Sequence, residues 1–365
     1  KLNSLYSLCT KEGIKNNQKL SACFTFKGLS KIKVDNLEAG DIIAISGIDG
    51  IEIGDSLSDN EDPLPLPRIE IDSPTVSMYF QVNNGPFAGK EGKYLTSRHL
   101  GDRLKKETLV NVSLQIIPTD SPDIFEVCGR GELQMAVLIE TMRREGYEFM
   151  VSKPVVITIN KDGKKLEPVE HVFLDLPEQN VGTITEKLSE RKGIMLNLQN
   201  NGSGRVMLEF KIPARGLIGF RSQYLTDTKG AGIMNTLFDS YEPWFGPIPK
   251  RSSGVLVGDR QGTVTPFAYL GMADRGVLFT SVGTEVYEGM VIGERNRVGD
   301  LDVNITKEKK LTNMRAASSD STVTLRPPKI MSLDRCIEFI DDDELIEVTP
   351  KNIRMRKREL SKNKR

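Results

Sequence analysis

The stretch IFEVCGRGELQMAVLIETMRREGYEFMV (124–151) decides the fold class of this 365-residue chain. Its central part, GELQMAVLIETMRREG (131–146), has the apolar spacing of an amphipathic helix. IFEVCG (124–129) and YEFMV (147–151) are apolar runs of strand length that flank this helix on both sides. A strand, a helix and a second strand in this order predict an α+β unit in which the helix packs on a sheet.

The spacing within 131–146 also predicts which side of the helix is buried. Leu133, Val137 and Met142, with their neighbours, form the expected apolar face. Gly146 follows the last apolar position and is expected to cap the C-terminus, because glycine adopts the left-handed conformation that ends many helices.

The preceding residues extend this unit toward the N-terminus. PTVSMYFQV (74–82) and VNVSLQII (110–117) predict strands, and TSRHLGDRLKKET (96–108) predicts a helix between them. The order over 71–153 is therefore β-α-β-β-α-β, which is the arrangement of a ferredoxin-like domain.

A second unit of the same kind is predicted over 154–243. Its expected elements are a hairpin of Val155–Ile159 and Val169–Leu176 around KDGK (161–164), a helix at 181–193, a strand at 204–214, a helix at 216–230 and a strand at 232–243. The chain thus contains two ferredoxin-like modules in series, with little sequence identity between them.

Both ends of the chain are predicted to be β-rich. Residues 1–70 contain β-branched and aromatic runs between turn residues and predict a partial β-barrel, which the proline-rich segment 61–72 links to the next domain. Residues 244–365 form a separate β-rich domain. Its expected elements are strands at 254–258, 262–270, 276–283 and 290–296, a helix at 331–340 capped by Ser332, and a final strand at 345–360. The predicted fold class is multidomain α+β.

The charges cancel overall but not locally. There are 50 Lys and Arg residues and 50 Asp and Glu residues, yet EFIDDDELIE (338–347) sums to −6 and residues 351–365 sum to +7. No stretch approaches about 18 consecutive apolar residues, so no membrane span is expected. The opening KLNSLYSLCT has no signal-peptide core and no initiator Met, which indicates a fragment of a longer protein. The few, widely spaced cysteines indicate a cytoplasmic protein.

No catalytic or metal site is evident in the sequence. The two histidines and four widely spaced cysteines do not fit a zinc motif, so the thiols are expected to be reduced and structural. NNGPFAGKEGKY (83–94) resembles a phosphate loop but has three residues, not four, between Gly85 and Gly89, and Glu91 follows Lys90. A nucleotide site at Gly85–Lys90 stays an open, weaker alternative.

The basic segment RNRVGDLDVNITKEKKLTNMR (295–315) carries a net charge of +3. Lysine and arginine side chains on such a loop bind phosphates without reading sequence. By charge alone, a solvated surface loop explains the composition equally well. A further alternative is a protein-interaction module, in which 338–347 docks a basic protein and the loop pairs internally with Asp341–Glu344.

Five stretches resemble the BipA/TypA family of ribosome-associated translational GTPases. They are GRGELQMAVLIETMRREGYEFMVSKP (129–154), PARGLIGFRSQYLT (213–226), EVYEGMVIGERNR (285–297), KKLTNMRA (309–316) and DDDELIEVTPKNIRMRKR (341–358). The likeness runs from about residue 36 to the C-terminus. The resemblance implies a GTPase domain, which would hold GTP and Mg²⁺ and is missing from this chain, followed by a β-barrel, two domains like the third and fifth of elongation factor G, and a family-specific C-terminal domain.

The resemblance also implies a function. Such proteins bind the ribosome at the factor site, reach the A-site tRNA and large-subunit rRNA with a C-terminal loop, and are linked to large-subunit assembly and stress adaptation. This chain would be the non-catalytic, monomeric RNA-binding portion, without a cofactor of its own and with ribosomal RNA, tRNA and ribosomal proteins as partners. The RNA-binding residues expected are Arg295, Arg297, Lys307, Lys309, Lys310, Asn313 and Arg315 in the loop, Arg191 and Lys192 in the second module, and Arg354, Arg356, Lys357 and Arg358 in the tail.

Overall fold

The computed structural model describes residues 4–36, 38–68, 73–200, 202–248, 251, 253–309 and 325–365. The chain forms two compact units, one containing the N-terminal strands and residues 106–112, the other containing 73–105 and 113–365. Sheets with a smaller number of helices make up the described residues, which confirms the multidomain α+β class. Among them, no helix is long and apolar enough to cross a membrane.

The N-terminal unit is all-β in its described residues 4–36 and 38–68, apart from the contribution of 106–112. Its strands are β1 (Leu5–Thr10), β2 (Gly13–Lys19), β3 (Ala22–Lys27), β4 (Ser30–Val34), β5 (Ile43–Ser46) and β6 (Ser56–Asp59). They form two small sheets with the orders β2-β1-β6 and β4-β3-β5. The strands described here do not close into a barrel. Leu8, Cys9, Leu20 and Cys23 are buried in this unit.

The first α+β module has the element order that its sequence predicts. Its elements are β7 (Val76–Val82), α1 (Ser97–Val110), β8 (Gln115–Pro118), β9 (Ile124–Gly129), α2 (Glu132–Arg144) and β10 (Phe149–Ser152). The strands pair antiparallel in the order β10-β7-β9-β8. Gly146 has φ 94° just after α2, so its expected role at the helix end is confirmed.

Two details of this module correct the sequence prediction. The strand predicted at 110–117 begins only at Gln115, because α1 continues to Val110 and leaves Val110 exposed. The buried face of α2 consists of Met135, Ala136, Leu138, Ile139 and Met142, whereas Leu133 and Val137 are more than half exposed. The prediction for Leu133 and Val137 was therefore wrong.

The second α+β module contains a longer hairpin arm and one strand that the sequence analysis missed. The hairpin arm predicted at Val155–Ile159 is divided, because β11 (Val155–Val156) pairs with β7 of the first module and only β12 (Ile159–Lys161) pairs with the next strand. The other elements are β13 (Lys164–Pro177), α3 (Val181–Glu190), β14 (Ile194–Asn200), β15 (Arg205–Pro213), α4 (Ala214–Leu217), α5 (Phe220–Asp227) and β16 (Ile233–Pro243). The main strands follow the order β16-β13-β15-β14. β14 has no fully buried residue, which explains why its sequence lacks the alternation of a half-buried strand.

The C-terminal residues continue the sheet of the first module. They form β17 (Val255–Gly258), β18 (Gly262–Thr263), α6 (Pro266–Met272), β19 (Gly276–Leu278), β20 (Glu285–Val286), β21 (Met290–Arg295), β22 (Leu301–Val303), α7 (Leu333–Phe339), β23 (Glu344–Val348) and β24 (Ile353–Lys357). β23 pairs with β10, so one sheet runs β22-β17-β21-β24-β23-β10-β7-β9-β8. One apolar core, which includes Phe80, Ile139, Val257 and Ile346, lies along it, and a second, C-terminal core contains Leu256 and Val303.

Helix capping and turn chemistry account for the differences from prediction in this region. The strand predicted at 262–270 is mostly α6, because the Thr265 hydroxyl accepts the N–H of Ala268 and Pro266 starts the helix. The single strand predicted at 345–360 is the hairpin of β23 and β24. Ser332 caps α7 as predicted. The four cysteines are buried and form no disulfide.

Candidate nucleic-acid interface

The loop that leaves β21 is fastened to β17. The N–H of Arg295 donates to the carbonyl of Gly254, and the N–H of Gly254 donates to the carbonyl of Arg297, both at 2.9 Å. The Arg295 guanidinium donates back to the carbonyls of Val298 and Gly299. Arg295 therefore shapes the loop from within, and the exposed side chain of Arg297 projects from it.

Asp300 connects the same loop to the C-terminal strand. Its carboxylate accepts the N–H of Val255 at 2.9 Å and pairs with the Lys357 ammonium at 2.5 Å. Burial alone would raise the pKa of Asp300, but the bonds from Lys357 and Val255 outweigh burial and hold the pKa below its usual value. Asp300, one of the three acids of this basic segment, is thus neutralised by the protein itself.

The following residues hold Lys307 on a backbone that is tied to the C-terminal core. Val303 and Ile305 are buried in the C-terminal core. The Thr265 hydroxyl donates to the carbonyl of Lys307 at 2.6 Å, which ties the backbone at that point to α6. The side chains of Lys307 and Lys309 are exposed. Of the remaining loop residues predicted to bind RNA, Lys310, Asn313 and Arg315 lie outside the described residues.

The basic residues of the tail are placed differently. Lys357 is buried and pairs with Asp343 and Glu344 as well as Asp300. Burial opposes the charge of Lys357, but the acidic partners prevail and raise its pKa. Arg354 is likewise paired, with Glu91 at 2.9 Å.

Arg356 is 3% exposed, and its guanidinium donates to Asn84 and to the carbonyls of Lys357 and Arg358. Arg358 is exposed and donates to the carbonyl of Asp342. The side chains of Arg354, Arg356 and Lys357 therefore stabilise the hairpin and present no charge to a phosphate.

The acidic patch 338–347 is partly used inside the protein. Glu344 is 0% exposed and accepts bonds from Arg251 and Lys357. Glu347 is also 0% exposed and accepts the Tyr287 hydroxyl at 2.7 Å. Two of the six acids of this patch are therefore structural.

The glycine-rich loop at 83–94 is already filled by a carboxylate. Glu148 accepts the N–H of Gly89 at 2.8 Å and that of Gly92 at 2.9 Å. A Cβ on Gly92 would lie 2.4 Å from the Cβ of Glu148, so the loop packs tightly on this residue. These N–H groups are the ones that a nucleotide phosphate would need, and the weaker alternative of a nucleotide site therefore lacks support.

Arg191 and Lys192 end α3 in two different environments. Arg191 is mostly buried, and burial lowers its pKa although nearby Glu338 and Glu132 favour its charge. Lys192 is exposed and has φ 69°, a left-handed conformation that turns the chain into β14. Lys192 is thus the more exposed of the two.

A cavity of about 710 Å³, lined by the second module and the C-terminal residues, was not predicted from the sequence. Its wall includes Arg191, Lys165 and Trp244, which is the only tryptophan of the chain. Its charged residues come from positions spread over almost 200 residues, so no local motif marks them. The one sequence feature that could have indicated this cavity is the single tryptophan, which lies close to basic residues in the sequence.

Comparisons with known proteins agree with the arrangement described above. Residues 253–362 match the model of the TypA/BipA C-terminal domain, and residues 164–252 match that of the elongation factor G C-terminus. Three relatives carry the name large ribosomal subunit assembly factor BipA. They come from Bacillus subtilis (46% identical over 368 residues), Salmonella typhimurium (49% over 366) and Escherichia coli K12 (48% over 366).

Each alignment covers 100% of this chain and 60% of the relative. The chain thus spans three fifths of the length of the proteins it matches. Relatives that are 46–49% identical over the whole chain, together with the two adjacent family models, identify the family. The chain belongs to the TypA/BipA family.

Proposed function

We propose that this chain is the ribosome- and RNA-binding portion of a BipA-type translational GTPase. The observation that carries the proposal is the exposure of Arg297, Lys307 and Lys309 on a segment whose backbone is fastened to β17 and α6. The name of the relatives, large ribosomal subunit assembly factor, supports the ribosome as the partner.

The mechanism follows from electrostatics. Each lysine or arginine that neutralises an RNA phosphate releases condensed counterions, so affinity depends steeply on salt. A side chain on a fixed backbone loses less conformational freedom on binding than one on a mobile segment. Arg295 and Asp300 contribute indirectly, because they hold the loop that presents Arg297.

The wider proposal places the chain in a larger protein. GTP hydrolysis, with GTP and Mg²⁺, belongs to a domain outside this chain, and the loop 295–315 reaches A-site tRNA and large-subunit rRNA from the factor site. The protein acts in the cytoplasm as a monomer, in large-subunit assembly and stress adaptation.

The two α+β modules support the comparison with elongation factor G. We infer that both are ferredoxin-like, because each has the order β-α-β-β-α-β and places its strands in the spatial order 4-1-3-2. The N-terminal sheets would then be part of the translation-factor barrel. The domain limits 1–70, 71–153, 154–243 and 244–365 follow from the same inference.

The alternative of a protein-docking acidic patch has less support. Docking a basic protein needs exposed carboxylates, and the burial of Glu344 and Glu347 leaves fewer of them. Lys153 also pairs with Asp341 and Asp342.

A crosslinking experiment tests the proposal. A photo-crosslinking amino acid at Val298, which is 82% exposed beside Arg297, should label large-subunit rRNA when the chain binds ribosomes. The same group at the exposed turn residue Asp162 serves as the control and should give a different pattern or none. Ribosome binding without any RNA crosslink from position 298 would overturn the proposal.

A further inference from the structure

The cavity beside Trp244 has a positively charged wall. Its basic residues are Lys153, Lys165, Lys187, Arg191, Arg215 and Arg251. Three acids, Glu190, Glu338 and Asp342, also contribute to the wall. The volume of about 710 Å³ lies within the range of pockets that hold small organic ligands, roughly 300 to 1,000 Å³.

Two of the basic residues, Arg215 and Arg251, have buried acidic partners that are not part of the wall. Arg215 pairs with Glu167 at 2.5 Å, and Arg251 pairs with Glu344 at 2.9 Å; both carboxylates are 0% exposed. Such buried partners fix the guanidinium groups in place. The surface that a ligand would meet is consequently more basic than the total charge of the region.

Arg191 has hydrogen-bonding capacity to spare. Its guanidinium donates to the carbonyls of Gly216 at 3.0 Å and Ile218 at 2.9 Å, and to the side-chain oxygen of Gln223 at 3.2 Å. A guanidinium has five N–H donors, so two remain without a partner among the described residues. No carboxylate of the described residues forms an ion pair with Arg191, although Glu338 and Glu190 lie on the same wall.

Lys165 is the second basic residue that has no acidic partner in the described part of the chain. Its ammonium lies 4.6 Å from the ring centre of Trp244, and the Arg215 guanidinium lies 3.8 Å from the same ring. Cation–π contact holds the lysine in place without neutralising it. Pro154, Val155 and Ile248 add apolar surface to the wall.

We propose that this cavity binds a phosphate-bearing ligand of nucleotide size, with Arg191 and Lys165 as the phosphate contacts and the apolar wall against the rest of the ligand. The ligand is either a free nucleotide or a nucleotide unit of RNA, which share this chemistry. The inference goes beyond the proposed function, because it concerns a different surface from 295–309 and does not require ribosome binding.

The only tryptophan of the chain lies on this wall, so its fluorescence reports on the cavity. The purified chain is titrated with inorganic phosphate, with uridine monophosphate and with a single-stranded RNA octamer. We expect nucleotide or RNA to change the fluorescence saturably, at concentrations below those needed for inorganic phosphate. Saturation by the mononucleotide alone identifies a free ligand, and tighter saturation by the octamer identifies RNA.

Variants separate the cavity from general charge effects. Lys165→Gln should raise the half-saturating concentration about tenfold, as expected for loss of one charge-assisted bond. Lys164→Gln removes the same charge from the neighbouring residue, which is not on the wall. This variant should change the half-saturating concentration less than twofold. Arg191→Lys keeps the charge but loses the planar group, and should also weaken binding.

Two results would overturn the proposal. One is unchanged fluorescence with all three ligands. The other is an equal effect of the Lys164 and Lys165 variants. Loss of ribosome binding by variants of Lys307 and Lys309 has no bearing on this titration, so the two proposals fail separately.

Discussion

Glu132, the first residue of α2, carries a carboxyl group that resists ionisation. Burial raises its pKa to about 7, and the nearby charges of Glu338 and Asp334 add to the effect, against the N–H of Gly219 and the charge of Arg191. Burial likewise raises the pKa of Glu338 to about 7. Because the folded-state pKa values exceed those of the unfolded chain, ionisation destabilises the fold as the pH rises from about 4.5 to 7.

Glu132→Gln should therefore stabilise the protein at high pH only. The amide oxygen still accepts the Gly219 N–H, and the cost of ionising position 132 disappears. We expect a gain of about 3 kcal/mol at pH 8, since the pKa is raised from 4.5 to about 7 and one pKa unit corresponds to ~1.4 kcal/mol, and little gain near pH 4.5. Urea unfolding at both pH values measures the difference in the free energy of unfolding between the variant and the parent. Glu186→Gln, at an exposed position of α3, is the control, and an equal effect of Glu132→Gln at both pH values would contradict the interpretation.

Lys357 provides a second test at the residue scale. Replacing it with methionine leaves Glu344 and Asp343 without their buried ammonium partner. We expect a loss of about 3–5 kcal/mol in the free energy of unfolding, the usual cost of breaking a buried ion pair. Lys362→Met, at an exposed position five residues later, should cost little. A Lys357→Met variant as stable as the parent but weaker in ribosome binding would restore the expected RNA-binding role.

Some of the helices and strands could be predicted from local sequence signals, and others could not. The order of strands and helices in the first module, the cap at Ser332 and the end of α2 at Gly146 follow from local signals, namely apolar periodicity, hydroxyl caps and glycine. The orientation of α2 does not follow from local signals. Apolar residues occur nearly all around this helix, and only tertiary packing selects the side that is buried. β14 was missed because an exposed strand carries no period-two signal.

The orientation of α2 leads to a prediction. Ile139→Ala should lower the free energy of unfolding by about 2–5 kcal/mol, because Ile139 is 0% exposed in the shared core. Leu133→Ala on the same helix should cost under about 1 kcal/mol, since Leu133 is 56% exposed. Chemical denaturation measures both values. The reverse order of the two losses would show that the face predicted from the sequence is the buried one.

At the scale of the molecule, the basic tail is the clearest difference between sequence and structure. Eight basic residues among the last fifteen predicted an RNA-binding segment. In the structure Arg354 and Lys357 pair with Glu91, Asp300 and Glu344, and Arg356 is buried against Asn84 and backbone carbonyls. The cavity near Trp244 was not predicted either, because residues that are distant in sequence form its wall. Neither arrangement has a local pattern, because each depends on long-range contacts.

The shared sheet predicts cooperative behaviour. β23 joins β10, and Ile346 packs in the same core as residues of α2 and β17. Ile346→Ala should therefore speed amide hydrogen exchange in α2 and in β17 together, by several-fold or more under conditions of sub-global unfolding. Mass spectrometry of peptic peptides detects this. Faster exchange confined to residues 255–258 and 344–357 would mean that the C-terminal residues unfold independently.

The most direct test of the central claim is the salt dependence of ribosome binding by the purified chain. Lys307, Lys309, Lys310 and Arg315 are changed together to glutamine, and a control variant changes the exposed Lys11, Lys15, Lys161 and Lys164 instead. Loss of four phosphate contacts should flatten the slope of log K against log salt by about 3, at roughly 0.7–0.9 per contact, and weaken binding. The control should keep the parental slope. Equal slopes for the parent and the loop variant would contradict the claim that this segment binds ribosomal RNA.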